Sequence, residues 1–212
     1  MSNWPKGFAG FDNANDFFRD KYKRTSNSPY SWIYSADILK RSADILSVYV
    51  KKSFEMFTSG ELIDNSEKLP LFFEYNNIGS TYMMLIGFSF ENTLKGIITA
   101  IKEITANGNL KEDYISHDLN KLVNKINEIS KEIILSSEEE DLLKRITQFS
   151  IWAGRYPFPT SYLISKPGMF GGKGSLTTIR PTDFGLIDNL YNKFIEILSC
   201  KGFRINYKPT NA

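Results

Sequence analysis

The sequence is poor in the residues that bind metals or form disulfides. Its 212 residues include one cysteine, Cys200, and one histidine, His117. A single cysteine excludes an intramolecular disulfide, and a single imidazole without a Glu-x-x-His pair leaves too few ligands for a zinc or di-iron centre. We therefore expect neither a metal nor a cofactor. Cys200 shares an apolar stripe with Ile197 and Phe203, which predicts a buried thiol in a reducing compartment.

The sequence also lacks a large net charge of either sign, and it lacks long apolar runs. The 26 basic and 24 acidic residues give a formal net charge of +2, whereas a domain that grips nucleic acid over its whole surface is far more basic. The longest apolar run, near residues 82–90, is too short to cross a bilayer, and the first residues lack a signal-peptide pattern. These absences predict a cytoplasmic protein without a membrane partner, in which any site for a polyanion is local.

Helical periodicity is what the sequence does contain. Apolar residues recur at spacings of three and four, and no alternating strand of convincing length appears. The pattern predicts an all-α bundle of four to five helices. Residues 61–76 are predicted to be a connector in which residues 69–73 cover one end of the core. The predicted helices span residues 29–57, 81–104, 118–130, 136–152 and 183–200.

Local residues indicate where these helices begin and end. Ser136 followed by Glu139 is a capping-box pattern, and Thr182 is an N-cap candidate for the last helix. Gly202 is placed to end that helix. The helix at 81–104 is apolar nearly all round in its first half, which predicts that it lies at the centre of the bundle.

The ends of the chain differ from the bundle between them. Residues 1–28 are rich in aromatics and predict an N-terminal arm, with a short helix near 16–23. The arm packs on the protein's own bundle or is exchanged between two copies. We assign a single domain to residues 29–205 and a tail to residues 206–212.

A basic, glycine-rich loop precedes the last helix. Residues 160–181 contain no acidic residue and carry Lys166, Lys173 and Arg180. The spacing of its glycines does not match a phosphate-binding P-loop, and no buried strand precedes it. We therefore predict a mobile basic loop that supplies charge to a nearby site.

The end of the fourth predicted helix carries the first candidate site. Two prolines in Ile151–Pro159 stop the helix beside Arg155 and Tyr156. An arginine held there can clamp a phosphate with two hydrogen bonds while the tyrosine stacks on a base or ribose. The alternative is that Arg155 pairs with Glu91 and only ties two helices together.

Polar residues interrupt the apolar central helix. Glu91, Asn92 and Lys95 require a polar partner, water or a shared cleft, because burial of an unpaired charge is costly. His117 precedes the next helix, where Ser116 or Asp118 can cap. A local structural role for this histidine competes with an acid/base role.

Four pieces of the sequence together resemble the HEPN superfamily of helical-bundle proteins. They are the central FSFENTLK (Phe88–Lys95), the turn His117–Leu119, LLKRI (Leu142–Ile146) and WAGRYP (Trp152–Pro157). The resemblance covers about residues 75–160. It implies a protein whose two subunits pair around a cleft that binds nucleotides or cuts RNA without metal, through an Arg-x4-6-His motif. It also implies a toxin-antitoxin or anti-phage setting.

The motif of that family is incomplete here. Arg155 matches the arginine, but the positions for the histidine hold Thr160, Ser161 and Tyr162. Without the imidazole, the acid/base half of RNA cleavage is missing. The resemblance therefore implies a fold and a binding cleft with catalysis lost or weakened.

Three functions follow as hypotheses. The first is a homodimer that binds RNA or a nucleotide in a cleft around Arg155. The second is a metal-independent ribonuclease in which Tyr156, Tyr162 or His117 acts with Arg155. The third is a protein-interaction module that uses the arm and the first long helix as a partner or dimer surface. The predicted binding residues are Arg155, Tyr156, Asn92, Glu91, Lys95, Lys166, Lys173 and Arg180.

Overall fold

The protein is an all-α bundle in the computed structural model, which describes residues 14–60, 66–106, 109–153 and 179–203. Six α-helices occur in these ranges, five in the bundle and one in the N-terminal arm, where a short helix was predicted. The helices are α1 (Ala14–Ser26), α2 (Pro29–Thr58), α3 (Leu69–Ile101), α4 (Leu119–Ile129), α5 (Ser137–Gln148) and α6 (Asp183–Cys200). Shorter elements are 3-10 turns at Ser66–Lys68 and Glu112–Tyr114, a π turn at Phe149–Ala153, and β1 (Thr105–Ala106) paired antiparallel with β2 (Asn109–Leu110).

Helix α3 is the centre of the bundle, as its apolar sequence predicts. It packs along α2 and also contacts α4, α5, α6 and the π turn. Met83, Phe90 and Leu94 are fully buried on it, and Phe90 contacts Tyr191 and Phe194 of α6. A helix that is apolar on every side is stable only when other helices surround it. None of the described helices is long and apolar enough to cross a membrane.

The predicted start of the central helix is wrong. Helix α3 begins at Leu69, whereas the sequence placed its first turn at Ser80 or Thr81 and a connector before it. Pro70 lies in the first helical turn, where proline is tolerated. Gly79 is a packing residue and not a helix breaker, since an added Cβ would come within 2.8 Å of Ile179 Cδ1. The helix also ends at Ile101, three residues earlier than predicted.

Capping residues mark the start of α5 and the end of α6 where the sequence predicts them. Ser136 and Glu139 form the predicted capping box of α5. At the end of α6, Gly202 has a φ of 88°, and the N–H groups of Gly202 and Phe203 donate to Ser199 and Leu198. These bonds satisfy carbonyls that the helix leaves free and confirm the predicted glycine stop.

The predicted cap of α6 is wrong. Thr182 makes no side-chain capping bond and has helical backbone angles. Asp183, the next residue, instead accepts a hydrogen bond at 2.8 Å from the backbone N–H of Arg180. This bond satisfies the N–H of Arg180, which precedes the helix, so it does not replace the capping of a helix N–H that the threonine hydroxyl was expected to provide.

Cys200 is exposed, which contradicts the predicted buried thiol. It lies in the last turn of α6, whose inward positions there are taken by Phe194 and Leu198. Ile197 and Phe203 are only partly buried, so the stripe that they share with Cys200 lies at the margin of the core.

The described part of the arm is the helix α1, which extends beyond the predicted residues 16–23. Its only described buried residue is Ser26, and its last turn is tied to the bundle. Trp32 Nε1 donates to the Ser26 carbonyl at 2.6 Å, and Asn27 Oδ1 accepts from the Ile104 N–H at 2.8 Å. Residues 1–13 lie outside the described ranges.

Candidate functional site

Two of the polar residues predicted on the central helix form a buried ion pair. Lys95 Nζ donates to Glu91 Oε1 at 2.6 Å, one helical turn away, and both side chains are buried. The Lys95 ammonium also lies 5.5 Å from the centre of the Trp32 ring, at a distance suited to a cation–π interaction. Asn92, the next residue on α3, is half-buried. Burial of this lysine is therefore compensated by a carboxylate and an aromatic face.

The second carboxylate oxygen of Glu91 contacts the single histidine. Glu91 Oε2 lies 2.8 Å from His117 Nδ1. Glu91, Lys95, His117 and Trp32 therefore form one group, which we call the α3 polar cluster. Besides Lys95, the Glu91 carboxylate thus has a second partner that lies 26 residues later in the sequence. Sequence reasoning recognised that Glu91 requires a partner but did not identify His117 as one.

The local structure before α4 holds His117 in place. Asp118 caps α4 by accepting from the Lys121 N–H, and its own N–H donates to Ser116 Oγ. The predicted capping role of Asp118 is thus confirmed. The imidazole, however, is 53% exposed, so the ring opens to solvent and does not pack into the core.

The Glu91–His117 contact defines what the cluster can do chemically. In a neutral imidazole, a carboxylate acceptor favours the proton on Nδ1, which leaves Nε2 as the acceptor. Glu91 thus orients the ring and leaves Nε2 free of this contact. An imidazole that is held by a buried carboxylate and exposed to solvent has the geometry that proton transfer requires.

Arg180, predicted for the same site, lies in a different cluster. Its Nη1 donates to Asp141 Oδ2 at 3.1 Å, and the same carboxylate oxygen accepts from Arg145 Nε at 3.1 Å. Arg145 also binds Asp183 with two hydrogen bonds, of 2.5 Å and 2.8 Å. Burial by itself lowers the pKa of Arg145, but the bonds and charges of Asp183 and Asp141 outweigh it and hold that pKa above its ordinary value.

The two clusters are separated along the central helix. Ile179, the neighbour of Arg180, lies beside Gly79, whereas the polar cluster is centred on Glu91. The stretch of α3 from Gly79 to Glu91 is roughly 18 Å long at 1.5 Å per residue. Arg180 therefore ties α5 to the start of α6 and is not brought to the α3 polar cluster.

The other predicted site residues lie outside the described ranges. These residues are Arg155, Tyr156, Tyr162, Lys166 and Lys173. The last described residue before them is Ala153, at the end of the π turn. Ser150 of that turn fills the space beside Gly87, one turn of α3 before Glu91.

Metal binding has no support within the ranges that the structure describes. No group of three or more histidine, cysteine or acidic side chains there is arranged to hold an ion. The acidic first turn of α5 instead includes Glu139, which belongs to the capping box and binds Lys193 at 2.5 Å.

Comparisons of the chain with protein-family models, with curated proteins and with solved structures find no match. The all-α fold therefore rests on the structure itself, and the resemblance to the HEPN superfamily stays a prediction.

Proposed function

We propose that this is a HEPN-like protein that binds RNA or a nucleotide in a cleft formed by Arg155 and the α3 polar cluster. The observation that carries the proposal is the buried Glu91–Lys95 pair. Its carboxylate contacts His117, and the ring of His117 is exposed to solvent. The π turn packs on α3 one helical turn before Glu91, and Arg155 is the second residue after its end. The half-buried Asn92 adds an amide on the same helix.

The basic loop and the family resemblance extend this proposal. Lys166 and Lys173 would supply phosphate contacts from the loop that follows Arg155. The resemblance adds a homodimer and a role in a toxin-antitoxin or anti-phage system. A protein partner in such a system is part of the same proposal.

Binding to a fluorescently labelled single-stranded RNA tests this function. We expect fluorescence anisotropy to show binding that weakens as salt rises, since phosphate contacts release counterions. Arg155→Ala should weaken it at least roughly tenfold. Arg24→Ala is the matched control, because Arg24 is an exposed arginine of α1 paired with Asp20. Equal affinity of wild type and Arg155→Ala would exclude the proposed cleft.

A metal-independent ribonuclease is the second candidate, and the Glu91–His117 contact favours it. In this reaction His117 Nε2 takes the proton of a ribose 2′-hydroxyl, whose oxygen bonds to phosphorus. The bond from phosphorus to the 5′ oxygen breaks, and the imidazolium returns a proton to that oxygen. Glu91 orients the ring and stabilises its charged form, while Arg155 stabilises charge on the phosphate.

Cleavage assays in EDTA test the ribonuclease. We expect His117→Ala to lower the rate by a factor on the order of a hundred or more, the usual loss for a general acid/base group. Lys121→Ala, which changes an exposed side chain in the first turn of α4, should retain the rate. Activity that persists in His117→Ala removes this histidine from the mechanism. The absence of cleavage by wild type removes the activity but leaves the binding proposal standing.

A further inference from the structure

A cavity of about 230 Å³ lies between α4 and α5. The described residues that line it are separate from the α3 polar cluster. Val123 of α4 and Ile133 of the segment between the two helices are buried and form its apolar floor, which the partly buried Leu135 extends. Exposed polar side chains surround this floor. An apolar base with a few polar groups around it is the usual composition of a small-molecule site.

Side-chain amides of α4 hold the walls of this cavity in place. Asn127 Nδ2 donates to the Ile133 carbonyl at 2.7 Å, and Asn127 Oδ1 accepts from the Ile133 N–H at 2.9 Å. Asn120 Nδ2 donates to the backbone carbonyl of Glu140 on α5 at 3.4 Å. These bonds fix the connecting segment and the start of α5 against α4. The cavity is thus formed before a ligand binds, which lowers the entropic cost of binding.

Three polar side chains at the rim have no partner within the described part of the chain. Asn124 of α4 and the pair Glu140 and Lys144 of α5 make no side-chain hydrogen bond or ion pair there. A glutamate four residues before a lysine on a helix is well placed to pair with it. Here the two charges stay separate, so the rim presents a carboxylate, an ammonium group and an amide to the cavity.

We infer that this cavity binds a free α-amino acid with an aliphatic side chain. The Glu140 carboxylate accepts hydrogen bonds from the ammonium group of the ligand. The Lys144 ammonium and the Asn124 amide donate to the carboxylate of the ligand. Its aliphatic side chain lies on the floor formed by Val123 and Ile133, out of water. The inference does not depend on RNA binding, so either one can fail without the other.

The spacing of the two charges favours a zwitterion. Glu140 and Lys144 are one helical turn apart, roughly 6 Å along the axis of α5. Both charged ends can therefore reach groups carried by a single carbon atom, as the ammonium and carboxylate of an α-amino acid are. A phosphate would meet the like charge of Glu140, and a simple cation would meet the like charge of Lys144, which is repulsive in each case. A ligand with one charge of each sign satisfies both residues.

The size of the cavity favours a free amino acid over a nucleotide or a longer peptide. Pockets for drug-sized ligands usually measure roughly 300 to 1,000 Å³, and this cavity is smaller. An amino acid of the size of leucine can place its side chain on the floor while its charged groups stay at the rim. A nucleotide would bring a base, a ribose and a phosphate, and the phosphate would lie beside Glu140.

Isothermal titration calorimetry of the full chain with L-leucine tests the site. We expect saturable binding of one leucine per chain with a Kd of about 1 mM or lower, which is within the affinity available to so small a ligand. N-acetyl-L-leucine lacks the ammonium group, and L-leucinamide lacks the carboxylate. Each should bind at least roughly tenfold more weakly, because each loses a charge-assisted hydrogen bond. Equal affinity for leucine and for N-acetyl-L-leucinamide, which lacks both charges, would mean that a peptide segment is the ligand and would overturn the inference.

Substitutions at the rim test which residue recognises which charge. Glu140→Gln should weaken the binding of leucine at least roughly tenfold and leave that of N-acetyl-L-leucine unchanged, because the acetylated ligand has no charge for Glu140 to bind. Lys144→Met should likewise weaken leucine and spare L-leucinamide. Glu138→Gln is the matched control, since Glu138 lies in the same first turn of α5 but does not line the cavity.

Circular dichroism should show an intact helical fold in all three variants, since the substituted side chains are exposed. The absence of saturable leucine binding by wild type would overturn the inference. Equal leucine affinity of wild type, Glu140→Gln and Lys144→Met would overturn it as well.

Discussion

At the scale of single residues, Gly87 decides how closely the end of α5 approaches the central helix. A Cβ added at Gly87 would overlap Ser150 Oγ and would lie 3.1 Å from Ile146 Cγ2. The Ser150 hydroxyl is buried and donates to the Ile146 carbonyl. A side chain at Gly87 would therefore displace this hydroxyl and push back the π turn that leads to Arg155.

We predict that Gly87→Ala lowers the free energy of unfolding by about 1–3 kcal/mol, because the Ser150 hydroxyl must leave its hydrogen bond or the turn must move. Ser150→Ala in the same background should recover part of the loss. Gly185→Ala on α6 is the control, because nothing lies within 4 Å of its added Cβ. It should be neutral or stabilise by up to about 1 kcal/mol. Urea unfolding measures all four proteins, and equal stability of Gly87→Ala and wild type would contradict the close approach.

At the scale of elements, the start of α6 is held by a charge from another helix. Asp183 is fully buried and binds Arg145 of α5, 38 residues away in sequence, with two hydrogen bonds. It also accepts from the Arg180 N–H. Sequence rules predicted a side-chain cap from Thr182, because a threonine just before a helix usually caps it. The start of α6 is instead held by Asp183, whose partner Arg145 lies on α5.

We predict that Asp183→Asn destabilises the protein by about 3–5 kcal/mol, since an amide of equal shape leaves the buried Arg145 without its main counter-charge. Thr182→Ala should change the stability by less than about 0.5 kcal/mol, because the hydroxyl makes no capping bond. Chemical denaturation of the two variants provides the comparison. A larger loss in Thr182→Ala than in Asp183→Asn would show that the threonine is the true cap.

At the scale of the whole molecule, Lys40 links the first long helix to the last. It is buried on α2, binds Asp44 of the same helix at 2.5 Å and binds Asp188 of α6 at 2.9 Å. Its ammonium also lies 5.6 Å from the Tyr191 ring. Burial lowers the pKa of Lys40, but the hydrogen bonds and charges of Asp188 and Asp44 outweigh it and raise that pKa above the ordinary 10.5.

The raised pKa predicts how this link depends on pH. Because the folded pKa lies above the unfolded one, the stabilisation is fully present below pH 10.5 and is lost as the pH rises through the folded value. We expect Lys40→Met to be less stable than wild type by about 1–3 kcal/mol at neutral pH. That difference should stay constant up to about pH 10 and shrink in stronger alkali. Urea unfolding of both proteins over this pH range measures the stability difference. If the difference already shrinks at a pH well below 10, the raised pKa of Lys40 is contradicted.

Prediction from sequence succeeded where structure depends on nearby residues. The capping box of Ser136, the cap at Asp118 and the glycine stop at Gly202 each involve groups within a few positions of one another. The start of α3 was placed too late, at Ser80 or Thr81 instead of Leu69. This part of the helix packs through contacts that are distant in sequence, such as that between Gly79 and Ile179.

In the candidate site, too, the features that depend on nearby residues were predicted and those that depend on distant residues were not. The sequence alone identified Glu91 and Lys95 as buried charges that need partners, since polar residues in an apolar helix are costly to bury. It could not name His117 as a partner of Glu91, nor separate Arg180 from this cluster, because both facts follow from how α3, α4, α5 and α6 pack.

Periodicity and capping thus determined by themselves that the chain is all-α, that its third helix is central and where most helices end, because these properties depend on contacts one turn apart. Only the tertiary structure decided which charges meet and how closely neighbouring side chains approach α3. Those outcomes depend on side chains brought together from distant parts of the chain.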